Sequence, residues 1–321
     1  MYPTPTQLRP VAEVTQQMLV GLAQDDQTFK GVKLIPGTEA LGNKATGTYF
    51  KVNVLGGVAH DLKWAEGKHA PLAVGKPLTT GTYVTSLYAQ RARILDRSRR
   101  DAIMPADPEA IMLMELIEAL KVQREKDFAN LFVAGNCGAG TNTSLGATGY
   151  RDSSSNPFRD IKVGVYDMRA ATGRKPNKLV MGSSMWEALV DNDALVSRMS
   201  NYGSQHGITL ERFSALMGDH FGIEEVEVVD GLKNTAGDGL AQSLSDIMGD
   251  DLFLFHHGGS VVTEDGPVLR ATFAERIKAW DWTADTYRDE GEKADYLRIY
   301  YDEALEVVDT NLCYGIFGGN P

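Results

Sequence analysis

The alternation of hydrophobic and polar positions changes period several times along the chain, most clearly in residues 174–199. Pro176 predicts a turn, because proline fixes φ and biases the preceding residue away from helix. The apolar run 179–181 predicts a short strand that is buried on both faces. Apolar residues at helical spacing follow Gly182, so this strand is predicted to lead directly into a helix.

The turn between this strand and the helix reads Gly-Ser-Ser at residues 182–184. Ser184 stands three residues before Glu187, which is the spacing of a capping box. Residues 191–193 end the helix and are expected to cap a second one at 194–199. A nucleotide site can begin at such a turn, but this turn lacks the glycine pattern and the lysine of a phosphate loop. We therefore interpret it as a structural joint.

The longest helix is predicted from about residue 107 to 133. Asp107 is a good N-cap, and Pro108 suits the first helical position. At 1.5 Å per residue, the helix is roughly 40 Å long. Its first half is apolar almost all round and rich in methionine, which we interpret as core packing rather than as a cofactor site.

An extended hairpin is predicted before this helix. Residues 48–54 and 82–88 have β-forming sequence, and a long, mostly polar excursion at 56–81 joins them. The excursion has too little apolar content to bury itself. Long loops in compact domains are usually functional or disordered. We therefore expect this one either to be mobile or to be ordered by contacts outside its own subunit.

After the long helix, short strands alternate with helices and predict a small α/β unit. The predicted strands lie at 179–181, 226–229 and 251–255, and the further helices at 160–171, with Asp160 as the cap, and from 209 to between 218 and 222. Glycine-rich loops at 135–156 and 231–246 interrupt the pattern. From residue 293 onward, alternating residues predict long closing strands with one polar face.

The composition of the chain argues against several classes of protein. The chain has 321 residues, of which 43% are hydrophobic, and a formal net charge of −11, which argues against a dedicated DNA-binding protein. No apolar stretch is long enough to span a membrane, and no secretory signal is visible. Cys137 and Cys313 lie far apart without metal-ligand spacing, so we expect two free thiols in a reducing compartment.

The most enzyme-like segment is His256-His257-Gly258-Gly259. Adjacent histidines at a strand end can bind metal or act as acid-base groups. Neighbouring strand residues point to opposite faces, however, and no carboxylate pattern completes a site. We therefore predict no catalytic residue, no cofactor and no metal. An α/β enzyme that uses His256 and His257 stays open as an alternative.

A basic run lies between the hairpin and the long helix. Its members are Arg91, Arg93, Arg97, Arg99 and Arg100. The run is short for a nucleic-acid patch and lacks interleaved aromatic residues. We expect these arginines to pair with carboxylates within or between subunits, since arginine suits bidentate contacts.

Residues 174–199 and 294–317, together with the order of the predicted parts, resemble the major capsid proteins of tailed bacteriophages. The resemblance implies an α+β chain with the Hong Kong 97-like capsid fold. The implied segments are an N-terminal arm at 1–36, an E-loop hairpin with flanking strands at 37–100, a P-domain with the spine helix at 101–157, an A-domain at 158–265, and closing strands of the P-domain at 266–321.

The resemblance also implies a function. Such a subunit is a structural protein and not an enzyme, and it self-assembles through pentamers and hexamers into an icosahedral shell around double-stranded DNA. Its implied location is the virion capsid, assembled in the cytoplasm of the bacterial host without a membrane. Implied partners are other copies of the chain, a scaffold, a portal and a decoration protein.

Candidate contacts between subunits follow from the same resemblance. They are Lys63, Trp64 and Lys68 in the excursion, and Arg97, Arg99 and Arg100 in the basic run. In some family members a lysine of the E-loop is cross-linked to a neighbouring subunit, but no motif here carries that chemistry over. A second shell, the encapsulin-like nanocompartment that holds cargo enzymes, uses the same fold and stays open as an alternative.

Overall fold

A computed structural model of the chain describes residues 30–52, 79–96, 108–142, 145, 149–152, 154–200, 208–235, 243–263 and 266–319. Its α-helices are α1 (Gly31–Leu34), α2 (Pro108–Asn130), α3 (Pro157–Thr172), α4 (Ser183–Val190), α5 (Asp193–Ser200) and α6 (Leu210–Phe221). Short 3₁₀ helices lie at Leu41–Asn43, Ala134–Asn136, Gly149–Arg151 and Thr310–Leu312. Within the described ranges, no helix is both long and apolar enough to cross a membrane.

The strands form several sheets. They are β1 (Gly37–Glu39), β2 (Thr46–Val52), β3 (Thr79–Val84), β4 (Ser86–Leu95), β5 (Gly140–Asn142), β6 (Lys178–Gly182), β7 (Glu225–Val229), β8 (Leu232–Asn234), β9 (Leu244–Asp246), β10 (Leu252–Phe255), β11 (Ser260–Thr263), β12 (Gly266–Arg270), β13 (Ala274–Asp289), β14 (Ala294–Val307) and β15 (Cys313–Ile316). The sheet orders are β1-β13-β14-β4, β5-β15-β10-β6-β7, β11-β12-β2-β3 and β8-β9. This architecture is mixed α+β, as the sequence predicts.

The long helix α2 packs on the sheet that contains the longest strands, β13 and β14. Because strand side chains alternate between faces, every second residue of β14 faces the helix. The shared core consists of Leu113, Leu116, Ile117 and Leu120 from α2, with Leu297, Ile299 and Tyr301 from β14. Fully burying one such aliphatic side chain contributes roughly 1.5–3 kcal/mol. The structure thus confirms the predicted long helix and its predicted start at Pro108.

The five-stranded sheet is covered on both faces. Helices α3 to α6 pack on one face, with Ile161 and Phe213 fully buried there. On the other face, Phe128 and Phe132 from the end of α2 pack with Leu34 of α1. The inner strand β6 is therefore apolar without alternation, and its residues 179–181 are 0% exposed, which confirms the predicted two-sided burial.

The predicted α/β unit contains two strands that the sequence did not assign to it. β6 and β7 are parallel, and β10 runs antiparallel between β6 and β15. The closing strands were all expected beside the long helix, whereas β15 lies inside the five-stranded sheet and pairs with β5. A 3₁₀ turn, Thr310–Leu312, redirects the chain after β14, and the Asp309 side chain accepts a hydrogen bond from the Asn311 amide at its start.

The predicted hairpin is confirmed in the antiparallel pairing of β2 with β3. Its second strand, however, was expected to run unbroken from 82 to 88. The structure ends β3 at Val84 and starts β4 at Ser86 in a different sheet. Between them, the Thr85 amide donates a hydrogen bond to the carbonyl of Ala45 at 2.8 Å. Because residues 82–88 contain no glycine, proline, asparagine or aspartate, their pattern did not indicate this change of sheet.

The helix caps seen in the structure confirm some of the caps predicted from the sequence and contradict others. Asn192 caps α5, since its Oδ1 accepts from the Leu195 amide at 3.1 Å, as predicted for residues 191–193. The prediction of a capping box at Ser184 is wrong. Helix α4 already begins at Ser183, and the Ser184 hydroxyl forms a hydrogen bond with the Asp246 carboxylate. Asp160 is also not the cap of α3. The helix begins earlier, with the Asn156 side chain accepting from the Arg159 amide.

Candidate functional site

The two histidines after β10 point into different surroundings. His256 Nδ1 lies 2.8 Å from the carbonyl oxygen of Lys175, and because a carbonyl only accepts, this nitrogen carries a proton. His257 Nδ1 lies 2.7 Å from the Thr272 hydroxyl. The rings therefore have separate partners, and the structure brings them to no common site.

His257 is buried and suited to the neutral state. Burial, with a smaller contribution from the charge of Lys178, lowers the pKa of His257 to about 4. Glu275 Oε2 lies 4.0 Å from His257 Nδ1, but burial raises the pKa of Glu275 and so disfavours its charged form. An acid-base catalyst works best with a pKa near the operating pH. The pKa of His257 is too low for this near neutral pH. Its burial and its hydrogen bond to Thr272 indicate a structural role instead.

The Gly-Ser-Ser turn is a structural joint, as interpreted from the sequence. A side chain at Gly182 would overlap the carbonyl oxygens of Met248 and Gly249, which cross directly over it. The Ser184 hydroxyl lies 3.0 Å from a carboxylate oxygen of Asp246. The negative charge of a carboxylate at this position would repel a phosphate. A phosphate site instead needs backbone amides and cations.

The two cysteines are free and buried, which agrees with the predicted free thiols. They are also neighbours: Cys137 Sγ and Cys313 Sγ lie 3.5 Å apart. Burial raises the pKa of the Cys313 thiol. The proximity could not be predicted, because it depends on β15 joining the five-stranded sheet. Among the residues that the structure describes, no group of three or more His, Cys, Asp or Glu side chains is arranged to hold a metal ion.

The structure does not test the predicted contacts between subunits. Lys63, Trp64, Lys68, Arg97, Arg99 and Arg100 all fall outside the described residues. They therefore stay predictions.

The first two arginines of the basic run are described, and both have partners in their own subunit. Arg93 lies 3.3 Å from Glu292, as expected for an arginine–carboxylate pair. Arg91 instead donates to the hydroxyl of Tyr287 at 3.2 Å and lies over the ring of Tyr296. Arg91 therefore does not make the carboxylate contact that was predicted for it within the described part of the subunit.

Sequence reasoning missed a buried ion pair that fixes α2 to its sheet. Arg124 binds Glu303 in a bidentate manner, with Nε to Oε1 at 3.0 Å and Nη2 to Oε2 at 2.8 Å. Arg276 approaches the same carboxylate at 3.6 Å. The Arg124 guanidinium also lies 4.2 Å from the ring centroid of Tyr301. Both side chains of the bidentate pair are less than a tenth exposed.

A signal for this pair was present in the sequence. Arg124 continues the four-residue spacing of the buried stripe on α2, whose other members include Leu116, Leu120 and Phe128. Glu303 continues the inward alternation of β14 after Tyr301. A charge of each sign on two facing apolar stripes predicts a buried pair, because an unpaired charge there is costly.

Several large apolar side chains remain exposed and offer surfaces for contact with another chain. They include Val84 (64%), Leu87 (62%), Met114 (50%), Trp280 (48%) and Ile111 (45%). Ile111 and Met114 stand three residues apart and so share one face of α2. The interpretation of the methionine-rich half of α2 as core packing is therefore correct for Leu113 and wrong for Met114.

No protein-family model matches the sequence, and no curated protein matches it significantly. Solved structures do match. A phage-related protein from Bordetella bronchiseptica RB50 superposes with a TM-score of 0.70 at 16% identity, over 97% of this chain and 98% of that chain. The capsid of Myoviridae phage XM1 superposes with a TM-score of 0.54 at 12% identity, over 98% of both chains. The chain has the Hong Kong 97-like phage capsid fold.

A third similar structure is the virus-like particle from Pyrococcus furiosus. It superposes with a TM-score of 0.55 at 10% identity, over 95% of this chain and 98% of that chain. These matches confirm the fold class that the sequence resemblance implied. In this capsid fold, the buried polar groups described above hold elements together: Arg124 joins α2 to β14, and His257 contacts the segment before β13.

Proposed function

We propose that this chain is the major capsid subunit of a tailed phage and self-assembles into an icosahedral shell. The observation that carries the proposal is the end-to-end match to the capsid of phage XM1, which covers 98% of both chains. A match over the whole length supports the role of a shell subunit rather than that of a shared domain. The role is structural and not enzymatic, which is consistent with the separate surroundings of His256 and His257.

The shell encloses double-stranded DNA without sequence recognition. The formal net charge of −11 supports this role, because a shell with a strongly basic surface would hold the phosphate backbone at every point. Assembly takes place in the host cytoplasm with a scaffold, a portal and a decoration protein, and the finished location is the virion.

Within the shell, residues 1–36 form the arm, 37–100 the E-loop region, 101–157 and 266–321 the P-domain, and 158–265 the A-domain. The arm and the E-loop contact neighbouring subunits, and the candidate contacts in that role are Lys63, Trp64, Lys68, Arg97, Arg99 and Arg100.

A second candidate is the encapsulin-like nanocompartment. The similarity to the virus-like particle from Pyrococcus furiosus supports a shell that is not a phage capsid. The two candidates share the assembly of a closed shell and differ in its content, which is DNA in one and a cargo protein in the other.

The first test is the mass of the purified protein by light scattering, with negative-stain images of the same sample. We expect closed particles, or discrete pentamers and hexamers that convert into particles when a scaffold is supplied. A stable monomer or dimer over a wide range of concentration and salt, even with scaffold, would contradict the proposal. A cargo peptide bound on the inner face of the particles would favour the nanocompartment.

A further inference from the structure

A cavity of about 310 Å³ opens between α3, the end of α6 and the turn before β6. Its basic side chains are Lys162, Arg169, Lys175, Arg198 and His220. No acidic side chain lines it among the residues that the structure describes. Because the whole chain has 43 acidic against 32 basic residues, this concentration of positive charge is a local feature. We call it the basic cavity.

Aromatic rings back the cations of the basic cavity. The Arg198 guanidinium lies 4.0 Å from the ring centroid of Phe158, and Lys162 lies over Tyr166 at 5.8 Å. Phe158 is in turn held against Phe221 at 4.9 Å. A guanidinium that stacks on a ring keeps its N–H groups at the edge for another acceptor.

Three cations of the basic cavity, Arg169, Lys175 and Arg198, form no ion pair with an acidic side chain in the described part of their own subunit. None of the ion pairs described there involves Arg169, Lys175 or Arg198. All three side chains are exposed at the mouth of the cavity. The cavity therefore presents donors to a ligand from outside.

Acidic residues gather at the opposite end of the same sheet. Lys175 and Phe221 come shortly before the parallel strands β6 and β7, so the cavity lies at their amino ends. The residues after these strands, and those before the antiparallel β10, lie at the carboxyl ends. They include Asp230, Asp246, Asp250 and Asp251. We call this set the acidic end.

The carboxylates of the acidic end influence one another. Partial burial raises the pKa of Asp230, and the charges of Asp246 and Glu227 add to this effect against the opposing charge of Lys30. Burial likewise raises the pKa of Asp251, with a contribution from Asp250. A cation from outside would reduce this repulsion. Asp230 is exposed and Asp250 partly exposed, so both can be reached.

We propose that the basic cavity of one subunit binds the carboxylates Asp230 and Asp250 at the acidic end of a second copy of this chain. The two surfaces differ and lie at opposite ends of one sheet, so the contact is head-to-tail. Contacts of this kind generate rings when the rotation closes. The inference rests on the proposed function, because a shell requires many copies in contact.

The observations favour a carboxylate over nucleic acid as the ligand. A cavity of about 310 Å³ has room for acidic side chains, whereas duplex DNA meets proteins over a broad surface of about 1,000 Å² or more. The net charge of −11 also repels a free polyanion, while assembly brings the acidic end of a neighbour to the cavity.

Charge reversal on each side tests the contact. One variant carries Arg169→Glu and Lys175→Glu, and the other carries Asp230→Lys and Asp250→Lys. We expect each alone to raise the protein concentration needed for assembly at least tenfold, measured by light scattering. A single variant that carries all four substitutions should recover assembly, because every head-to-tail contact then again joins opposite charges, in rings of five as well as of six.

A control variant with Arg151→Glu and Lys293→Glu changes the net charge as much as the first variant, at exposed positions away from the cavity and outside the E-loop region. It should assemble like the wild type. Circular dichroism and thermal unfolding confirm that all variants fold.

Three outcomes would overturn the inference. In the first, both reversal variants assemble like the wild type. In the second, the folded variant that carries all four substitutions does not recover assembly. In the third, Arg169→Glu with Lys175→Glu abolishes retention of duplex DNA while assembly is intact, which assigns the cavity to nucleic acid. In all three the wild type still assembles and the proposed function stands, whereas a wild type that never assembles removes both proposals.

Discussion

At the scale of single residues, burial decides which protonation state and which partner a polar side chain keeps. His257 is buried beside Lys178 and bonds to the Thr272 hydroxyl, so the neutral ring is favoured. Arg124 and Glu303 are buried as charges because each satisfies the other in bidentate geometry. In both cases the polar group has a partner, as a low-dielectric interior requires.

We predict that His257 makes the fold less stable as the pH falls. Its pKa in the folded chain is about 4, below the ordinary value of 6.5. Between these values the unfolded chain binds a proton that the folded chain does not. The free energy of unfolding therefore decreases as the pH drops below 6.5, and this contribution levels off below about 4. The full effect is on the order of 3 kcal/mol.

The measurement is urea unfolding of wild type and His257→Asn at pH 7 and pH 4.5. Asparagine cannot take up the proton, so the variant should lose less stability between the two pH values. Nearby Glu275 and His256 titrate in both proteins and cancel in the comparison. Equal losses in the two proteins would show that His257 does not cause the pH dependence.

For the buried ion pair, we predict that Glu303→Gln destabilises the subunit more than Arg124→Met. Removing the carboxylate leaves two buried guanidiniums, Arg124 and Arg276, without their counter-charge. Breaking a buried pair in this way costs roughly 3–5 kcal/mol. Arg124→Met costs less, because Glu303 keeps Arg276 at 3.6 Å.

Urea denaturation of the subunit measures both changes. Arg298→Met is the matched control, because Arg298 also lies on β14 and pairs with Asp285 on the exposed surface. Its loss should be about 0–1 kcal/mol. If Glu303→Gln were no more destabilising than this control, the buried pair would not hold α2 to its sheet.

At the scale of elements, the close crossing at the end of β6 restricts the sequence most strongly. β6 ends at Gly182, and the carbonyls of Met248 and Gly249 pass over this residue on the way to β10. We predict that Gly182→Ala lowers stability by roughly 3 kcal/mol, because the methyl group displaces backbone rather than a flexible side chain. Thermal unfolding and the yield of soluble subunit measure the effect.

Gly249→Ala is the control for this prediction. A Cβ at Gly249 meets no atom within 4 Å outside its immediate neighbours. The substitution should therefore change stability by less than about 0.5 kcal/mol. If Gly182→Ala were as stable as the wild type, β6 and residues 248–249 would be able to separate without disturbing the sheet.

The elements also show where prediction from sequence ends. α2, β6, β7 and β10 carry their signal in their own residues, as a capped apolar helix or as short apolar runs, and they were predicted. The break at Thr85 and the placement of β15 depend on which strand pairs with which. Hydrogen-bond partners far apart in the chain determine such pairings, so a local pattern does not reveal them.

At the scale of the whole molecule, an acidic chain with exposed apolar side chains matches the proposal of a shell subunit. We predict that Leu87→Lys combined with Met114→Glu raises the concentration needed for assembly about tenfold, the effect of about 1.4 kcal/mol of lost contact energy. Leu87 is 62% and Met114 is 50% exposed, so the folded subunit loses little. Light scattering measures assembly, and urea unfolding measures stability.

Glu118→Lys is the control for this prediction, because it changes an exposed charge on the same helix without removing apolar surface. It should assemble like the wild type. If the apolar variant also assembled normally, these side chains would lie outside the contacts between subunits.

The sequence by itself determined the mixed α+β character, the long helix, the buried strands of the α/β unit and the long hairpin, because periodicity and turn chemistry are local properties. The predicted contacts at Lys63, Trp64, Lys68, Arg97, Arg99 and Arg100 stay predictions. Only the tertiary structure decided that Arg124 meets Glu303, that Cys137 meets Cys313, and that basic side chains from α3, α5 and α6 surround one cavity. Each of these depends on packing between segments distant in sequence, where burial and pairing outweigh local preference.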